Sequence, residues 1–240
     1  IGGKTMLEMI CKTAGSISTK ITLIVGFDKN SIINESKSFD FEISTCEQAS
    51  PIGTGDAVKC GISEVDDADK VLVLYGDVPL IKKETLENLV SIDDKSLTIL
   101  STKVDDPFGY GRVKKDNDGN VTQIIEEKDA SNEDKKIREI FTGILCCNKV
   151  LLEEALKEIK NDNAAGEYYL TDIVSIINEK GFKIKTCIVP NKEVKGANTK
   201  KELSELEETF RKMKSKDLLE MGITVSDPNR VDVRGEVSAG

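Results

Sequence analysis

The first hundred residues alternate between apolar runs of strand length and stretches with apolar residues at helical spacing. Four runs predict strands, at residues 21–27, 41–45, 70–77 and 97–104. The segments between them predict helices, at residues 5–15, 55–65 and 83–92. Strands that are apolar on both faces and separated by helices are typical of a parallel sheet covered on both sides. The pattern therefore predicts an α/β domain.

Beyond residue 104 the pattern changes. An Asp-Gly pair lies between two strand-like arms within residues 110–129, which predicts a β-hairpin. Later strands are predicted at residues 137–149 and 182–190, and later helices at 149–160 and 168–181. Residues 199–221 form a long, highly charged helical pattern, which indicates a solvated arm.

The amino-acid composition argues against several classes of protein function. The net charge is −9 and no basic cluster is present, which argues against nucleic-acid binding. No apolar run approaches the ~20 residues of a membrane span, and the first residues lack the pattern of a secretory signal. The six cysteines form no Cys-x-x-Cys pair and lie mostly in apolar segments. Buried thiols in a reducing compartment explain them best, so we expect a cytoplasmic protein.

Histidine is absent, which restricts the chemistry. Its absence excludes Ser-His-Asp and Cys-His nucleophilic sites and every histidine-dependent metal site. Carboxylates, lysines, backbone amides and a hard cation remain. These groups suit phosphoryl or nucleotidyl transfer, because the attacking phosphate is already an anion and catalysis is mostly positioning and charge neutralisation.

Two segments of the first half carry candidate site residues. Asp77 stands at the carboxyl end of a predicted strand, where open α/β sheets bind ligands. It is a candidate metal ligand, or else it caps the following turn. A glycine-rich turn at residues 51–55 opens a predicted helix, an arrangement that attracts anions or carbonyl oxygens. Capping of that helix by Thr54 or Asp56 is the simpler interpretation.

The second half offers further candidates. Glu126, at a strand end, could accept hydrogen bonds from sugar hydroxyls or simply face solvent. Tyr169 and Thr171 lie at a predicted helix start, where they could contact a ligand, pack, or cap the helix. Asn198 directly precedes the charged helix, where helix capping is the simpler role.

Six segments occur in an informative order over essentially the whole chain. They read QASPIGTGDAV, VLVLYGDVPLI, DDPFGYGRV, IIEEKDAS, NAAGEYYLTDI and VKGANTKKELSELE. Together they closely resemble the bacterial bifunctional N-acetylglucosamine-1-phosphate uridylyltransferase/glucosamine-1-phosphate acetyltransferase family. The resemblance implies an α/β fold, with a Rossmann-like nucleotidyltransferase mixed sheet, a β-hairpin insertion and a C-terminal helical arm.

The same resemblance implies three parts of the chain. Residues 1–198 correspond to the uridylyltransferase domain without its first strand and phosphate loop. Residues 199–222 correspond to a helical linker arm, and residues 223–240 to the start of a left-handed β-helix domain. The complete protein is expected to form a homotrimer through that β-helix.

The resemblance also implies residue roles. Asp77 and Asn198 would be the catalytic residues that coordinate Mg²⁺. The substrate contacts would be Gln48, Gly53 and Thr54 for uracil, Tyr75 at the pocket floor, and Gly111, Glu126, Tyr169 and Thr171 for N-acetylglucosamine and ribose. The implied reaction joins UTP and N-acetylglucosamine 1-phosphate into UDP-N-acetylglucosamine and pyrophosphate, for peptidoglycan and lipopolysaccharide precursors.

The chain departs from the family pattern in two informative places. The family's phosphate loop, G-x-G-T-x-M followed by a P-K pair, is expected before Ile1 and is absent, so we expect the 240-residue chain alone to catalyse poorly. Phe141 stands where the family has asparagine before Thr-Gly-Ile. We expect Phe141→Asn in a complete protein to lower the apparent Michaelis constant for the sugar phosphate.

Two other functions remain open at this point. The chain could belong to another sugar-1-phosphate nucleotidyltransferase, with a different base or hexose, which Phe141 permits. It could instead be a non-catalytic relative that binds nucleotide sugars, although such a binder has no need of both magnesium ligands. A Rossmann-type dehydrogenase is discounted, because no glycine fingerprint with a following acidic residue is visible.

Overall fold

The computed structural model describes residues 1–65, 68–92 and 95–235. The strands are β1 (Ile21–Val25), β2 (Ile43–Glu47), β3 (Lys70–Val73), β4 (Leu97–Lys103), β5 (Arg112–Lys115), β6 (Val121–Ile125), β7 (Glu139–Asn148) and β8 (Lys185–Ile188). The helices are α1 (Met6–Gly15), α2 (Lys29–Ser36), α3 (Thr54–Ile62), α4 (Lys83–Ser91), α5 (Lys149–Glu158), α6 (Asp172–Glu179), α7 (Asn191–Val194) and α8 (Lys200–Glu220).

The main sheet has six strands and is mixed. Its order is β6-β5-β7-β4-β8, with β3 also paired to β7. β7 runs antiparallel to β3, β4 and β5, while β4 and β8 are parallel. The mixed sheet is confirmed, but the continuous parallel sheet expected of the first four strands is wrong. β7 lies between β3 and β4, and β1 and β2 form a separate parallel pair.

Both faces of the main sheet are covered, because its strands are apolar on both sides. One face packs its buried side chains, among them Ile99 and Leu145, against α3, α5 and α6. The other face, which includes Leu100 and Ile144, packs against α1 and α4. Neighbouring residues of β4 and β7 thus enter different cores, as the twofold repeat of a strand requires.

The predicted hairpin is confirmed. β5 and β6 pair antiparallel around a turn in which Oδ1 of Asp116 accepts hydrogen bonds from the backbone amides of Asp118 (3.0 Å) and Asn120 (2.8 Å). Gly119 adopts a positive φ of 83° in this turn. The sequence did not predict α2, because its apolar residues show little helical periodicity.

The charged helix α8 begins with a capping box formed by Thr199 and Glu202. Leu206 is fully buried and packs in a small third core, while most of the helix surface is solvated. Residues 236–240 of the expected β-helix segment lie outside the described residues. Over the described ranges, every helix is too short or too polar to span a lipid bilayer.

Because β7 lies at the centre of the main sheet, we expect the stability of the fold to depend strongly on the buried residues of this strand. Leu145 is fully buried and pairs with both β3 and β4. We expect Leu145→Ala to lower the free energy of unfolding by about 3 kcal/mol, through lost burial and a residual cavity. Urea denaturation followed by circular dichroism measures this loss.

Leu219→Ala is the matched control, because Leu219 on α8 is 46% exposed. Its effect should stay within about 0.5 kcal/mol. Equal losses of unfolding free energy for the two variants would show that the buried residues of β7 are not especially important for stability.

Candidate active site

The candidate site is assembled where β1, β2 and β3 end. Gln48 directly follows β2, and its backbone amide donates to the carbonyl of Val25 at the end of β1 (2.8 Å). Its side-chain Nε2 donates to the carbonyl of Gly53 (3.1 Å) and to Oδ2 of Asp56 (2.9 Å). Because both amide hydrogens are engaged, Gln48 can offer a ligand only its Oε1, which is a hydrogen-bond acceptor.

The turn before α3 is held against the segment that precedes α6. Tyr168 donates its backbone amide to the carbonyl of Ile52 (2.8 Å), and Gly55 donates its amide to the carbonyl of Tyr168 (2.8 Å). Gly53 has a φ of 131°, and a Cβ there would lie 2.3 Å from the carbonyl oxygen of Tyr168. Glycine is therefore required at this position by both conformation and space.

Tyr75 lies at the floor of the site. Its ring covers Gly143 of β7 so closely that a Cβ there would lie 2.5 Å from Cε2 of the ring. Burial raises the pKa of Tyr75 to about 12, against the opposing effect of the nearby Thr54 side chain. Glu126 and Asp77 are close enough to raise that pKa further. Tyr75 therefore connects the two groups of candidate residues.

Thr54 is the second connecting residue. Oγ1 of Thr54 accepts a hydrogen bond from the backbone amide of Leu170 (3.1 Å), which lies between Tyr169 and Thr171. Neither Thr54 nor Asp56 caps α3, since its N-cap is Gly53 without a side-chain cap bond. The capping interpretation is wrong here, and the hydroxyl joins α3 to the segment before α6.

Glu126 and Thr171 form a partly buried pair. The hydroxyl of Thr171 donates to Oε1 of Glu126 (2.9 Å) instead of capping α6. Burial raises the pKa of Glu126 above its ordinary range, against the opposing effect of this hydrogen bond. Gly111 lies alongside, since a Cβ there would be 3.5 Å from Oε1 of Glu126.

Glu126 and Tyr169 line a cavity of about 390 Å³ together with Asp129 and Asp172. Burial is the main cause that raises the pKa of Tyr169, and neighbouring carboxylates raise it further. The cavity is therefore polar and acidic, and its carboxylates offer acceptors to hydroxyl groups.

Asp77 is half-buried beside the backbone of residues 194–198. A Cβ on Gly196 would lie 2.9 Å from Oδ2 of Asp77. Burial raises the pKa of Asp77, although a hydrogen bond from its own backbone amide opposes the shift. A partly desolvated carboxylate of this kind is stabilised by a nearby cation.

Asn198 lies two residues beyond Gly196. Thr199 caps α8 in its place, because Oγ1 of Thr199 accepts from the amide of Glu202. Asn198 contributes only its backbone amide to this arrangement, donating to Oε2 of Glu202 (2.9 Å). The carboxylate of Asp77 and the amide oxygen of Asn198 are hard oxygen donors, which fit Mg²⁺. No cluster of three or more potential protein ligands for a metal occurs within the described ranges.

The structure adds residues that sequence reasoning missed. Arg112 is buried and pairs with Oε2 of Glu127 (2.5 Å), which also accepts from the amide of Gly109 (3.2 Å). The hydrogen bond with Arg112 is the largest cause that lowers the pKa of Glu127. In the sequence, the feature that could have indicated this pair is an arginine at the start of a hairpin strand. This pair holds the glycine-containing loop next to Glu126.

Phe141 is 6% exposed and belongs to the core between the sheet and α3, α5 and α6. Its backbone amide donates to the carbonyl of Gly111 (2.9 Å). The position is thus adjacent to the candidate sugar contacts through its backbone, while its side chain packs in the core.

Sequence reasoning also missed Asp172 as a site residue. The raised pKa of its carboxyl group can be tested. Burial, followed by Glu126 and Asp129, raises its pKa from 3.8 to about 6. The folded state then holds the proton more tightly than the unfolded state, so stability falls as pH rises from about 4 through 6. Asp172→Asn removes this loss. We expect its stability gain over wild type to be about 1–2 kcal/mol larger at pH 7 than at pH 4.

Urea midpoints at the two pH values measure the difference. Asp40→Asn, which replaces an exposed carboxylate, is the matched control. An Asp172→Asn effect that is equal at both pH values would contradict the raised pKa.

Comparison with known proteins gives concordant results. The chain is 41% identical to the Bifunctional protein GlmU of Psychrobacter sp. (strain PRwf-1), covering 100% of this chain and 53% of that protein. It is 40% identical to Bifunctional protein GlmU of Alcanivorax borkumensis, covering 99% and 52%, and of Neisseria gonorrhoeae, covering 100% and 52%. The chain thus spans about half the length of these curated relatives.

Among solved structures, HddC from Yersinia pseudotuberculosis matches with a TM-score of 0.59 and 18% identity, covering 85% of this chain and 83% of that one. This likeness supports the fold alone. Residues 1–191 match the family model described as nucleotidyl transferase. Since that match extends over most of the sequence, the chain belongs to the nucleotidyl transferase family.

Proposed function

We propose that this chain carries the uridylyltransferase site of a bifunctional enzyme that forms UDP-N-acetylglucosamine and pyrophosphate from UTP and N-acetylglucosamine 1-phosphate. One observation carries the proposal. Thr54 accepts from the amide of Leu170, and so holds the start of α3, which Gln48 contacts through Gly53 and Asp56, against the segment that carries Thr171 and its bond to Glu126. The relatives named Bifunctional protein GlmU support the same assignment.

The base end of the proposed site selects uracil by hydrogen-bond polarity. Gln48 can present only an acceptor to a ligand, because Gly53 and Asp56 engage its donors. The imide N–H of uracil is a donor and matches this acceptor, whereas the corresponding ring nitrogen of cytosine carries no hydrogen. Glycine at position 53 lets this turn lie directly against the backbone of Tyr168, where a Cβ would clash.

The sugar end of the proposed site consists mainly of hydrogen-bond acceptors. Glu126, oriented by Thr171 (2.9 Å), would accept hydrogen bonds from hydroxyls of the ribose or the N-acetylglucosamine. Tyr169 and the carboxylates of the adjoining cavity offer further polar contacts. Buried acceptors of fixed orientation discriminate strongly against ligands that lack the matching donor.

The proposed reaction needs no protein base. An oxygen of the sugar 1-phosphate forms the new bond to the α-phosphorus of UTP, the bond to the β-phosphate bridge breaks, and pyrophosphate leaves with that electron pair. The attacking oxygen is already anionic, which agrees with a chain that lacks histidine. Asp77 and Asn198 would hold Mg²⁺, which when bound neutralises phosphate charge. The residues around the base and the sugar orient the two substrates.

The proposal extends to the complete protein. Its expected assembly as a homotrimer follows from the family resemblance, and its expected cytoplasmic location follows from the cysteine pattern. Both stay predictions.

The metal assignment is tested on an active enzyme that contains this domain. We expect Asp77→Asn and Asn198→Ala each to lower kcat for UTP-dependent pyrophosphate release by about 100-fold or more, since each removes an oxygen ligand. Calorimetry with Mg²⁺ and UDP-N-acetylglucosamine should show weaker metal-dependent binding.

Asp40→Asn and Asn161→Ala, at exposed positions, are the matched controls and should retain full activity. Activity of both site variants within threefold of wild type would refute the assignment. The 240-residue chain is assayed in parallel, to test the expectation that it catalyses poorly alone.

Base selection is tested by binding. Gln48→Ala should lower the preference for UTP over CTP about tenfold, the value of one hydrogen bond of about 1–2 kcal/mol. Fluorescence competition with both nucleotides measures the ratio. Gln123→Ala, in the cavity beside Glu126, should leave the ratio unchanged. An unchanged ratio for Gln48→Ala would place the base elsewhere.

A further inference from the structure

Two stretches of chain bring the candidate metal ligands together. Asp77 follows β3 and precedes α4, while Asn198 follows β8 and the short helix α7. We call residues 77–85 the Asp77 arm and residues 189–198 the Asn198 arm. Because the two arms are far apart in the sequence, their packing against each other decides where the two side chains lie relative to one another.

The arms are in close contact at the candidate ligand itself. A Cβ on Gly196 would lie 2.9 Å from Oδ2 of Asp77 and 3.3 Å from its backbone oxygen. There is no room for a side chain between the arms at this point. A shift of the Asn198 arm would therefore change the surroundings of the Asp77 carboxylate directly.

Apolar side chains hold the arms together without fixing their alignment. Val78, Ile81 and Val194 belong to one buried core. Leu80 and Ala197 belong to another. Apolar burial is non-directional, so it favours contact between the arms but tolerates small displacements along it.

One hydrogen bond between the arms is directional. The hydroxyl of Thr85 on α4 donates to Oε2 of Glu193 on α7 over 2.7 Å. Both residues are buried, since Glu193 is 5% exposed and Thr85 is 9% exposed. This bond fixes one alignment of α7 against α4.

The middle of the Asn198 arm has particular need of such a bond. At one end, the amide of Val189 donates to the carbonyl of Ser101 (3.0 Å). At the other end, the amide of Asn198 donates to Oε2 of Glu202 (2.9 Å). Between them, α7 has only four residues, and a single helical turn is not stable by itself. Its position therefore depends on tertiary contacts such as that of Glu193.

Stability alone does not account for a carboxylate at position 193. Burial of a carboxylate is costly, and the nearest cation, Nζ of Lys82, is 3.7 Å away on a side chain that is 46% exposed. Replacing a buried ion pair by apolar residues is often neutral or stabilising. What an apolar side chain could not provide is the directional bond to Thr85.

We propose that Glu193 and Thr85 are positioning residues for the transfer reaction, whose hydrogen bond holds Asn198 at the distance from Asp77 that Mg²⁺ requires. The inference rests on the proposed function, which assigns the two metal ligands. Mg²⁺ demands oxygen ligands at about 2.1 Å in nearly octahedral geometry. A displaced Asn198 arm therefore weakens metal binding, while the base and sugar ends of the site, which lie on other elements, are unaffected.

Metal binding to an active enzyme that contains this domain tests the proposal. Thr85→Val removes the hydroxyl and keeps the shape of the side chain. Mn²⁺ replaces Mg²⁺ as the probe and is titrated in the presence of UDP-N-acetylglucosamine, with free Mn²⁺ measured by electron paramagnetic resonance. We expect the Kd for Mn²⁺ to rise about tenfold, and the affinity for UDP-N-acetylglucosamine without metal to remain the same.

Three further variants separate position from charge and from general disturbance. Thr85→Ser restores the hydroxyl and should bind Mn²⁺ as wild type does. Glu193→Asp keeps the carboxylate but shortens its reach, so it should weaken Mn²⁺ binding as Thr85→Val does. Thr98→Val is the matched control, because Thr98 is 1% exposed and its hydroxyl has no hydrogen-bond partner among the described residues. It should leave Mn²⁺ binding unchanged.

Asp77→Asn in the same titration distinguishes the two levels of the argument. If Asp77→Asn leaves Mn²⁺ binding unchanged, the metal assignment is wrong and the positioning role falls with it. If Asp77→Asn weakens binding while Thr85→Val and Glu193→Asp do not, only the positioning role is refuted. Because Thr85→Val retains Glu193, an effect of its charge alone would also leave the Kd unchanged.

Two other results would overturn the proposal. Equal weakening of Mn²⁺ binding by Thr98→Val, or an equal loss of metal-free affinity for UDP-N-acetylglucosamine, would show a general disturbance of the core. Failure of both Thr85→Val and Glu193→Asp to fold would show that the bond serves stability instead.

Discussion

The arrangement of this protein depends on the hydrogen bonds of one strand, β7. β7 pairs with β4 along one edge, and with β5 and then β3 along the other. It carries Leu145 into one core and Ile144 into the other. The same strand brings Gly143 under the ring of Tyr75. Core and candidate site therefore share one element, and the floor of the site is as rigid as the sheet.

The electrostatics of the site follow from its burial. Asp77, Glu126 and Asp172 are all partly desolvated, and burial is the first cause that raises each of their pKa values. Such a site repels phosphates unless a cation is present, and the overall charge of −9 adds to that repulsion. A magnesium-dependent transfer of a nucleotidyl group is consistent with both features, because a bound cation offsets the carboxylates and the phosphates together.

Local and tertiary roles compete at several polar residues. Thr54, Thr171 and Asn198 all stand at helix starts, where capping is the simplest use of such side chains. In the folded chain Thr54 accepts from Leu170, and Thr171 donates to Glu126. Thr199 forms the capping box before α8. None of these three side chains caps its own helix, which is consistent with the ligand contacts that the family resemblance implies for them.

The sequence by itself determined the alternation of strands and helices, the hairpin, the chemistry left open by the lack of histidine, and the family. These features rest on local periodicity, turn residues and composition, which the chain carries position by position. Only the tertiary structure decided that β7 lies between β3 and β4, that Arg112 pairs with Glu127, and that Asp172 joins the acidic cavity. Each of these depends on contacts between distant residues, and strand pairing and desolvation are properties of the packed chain that no local pattern records.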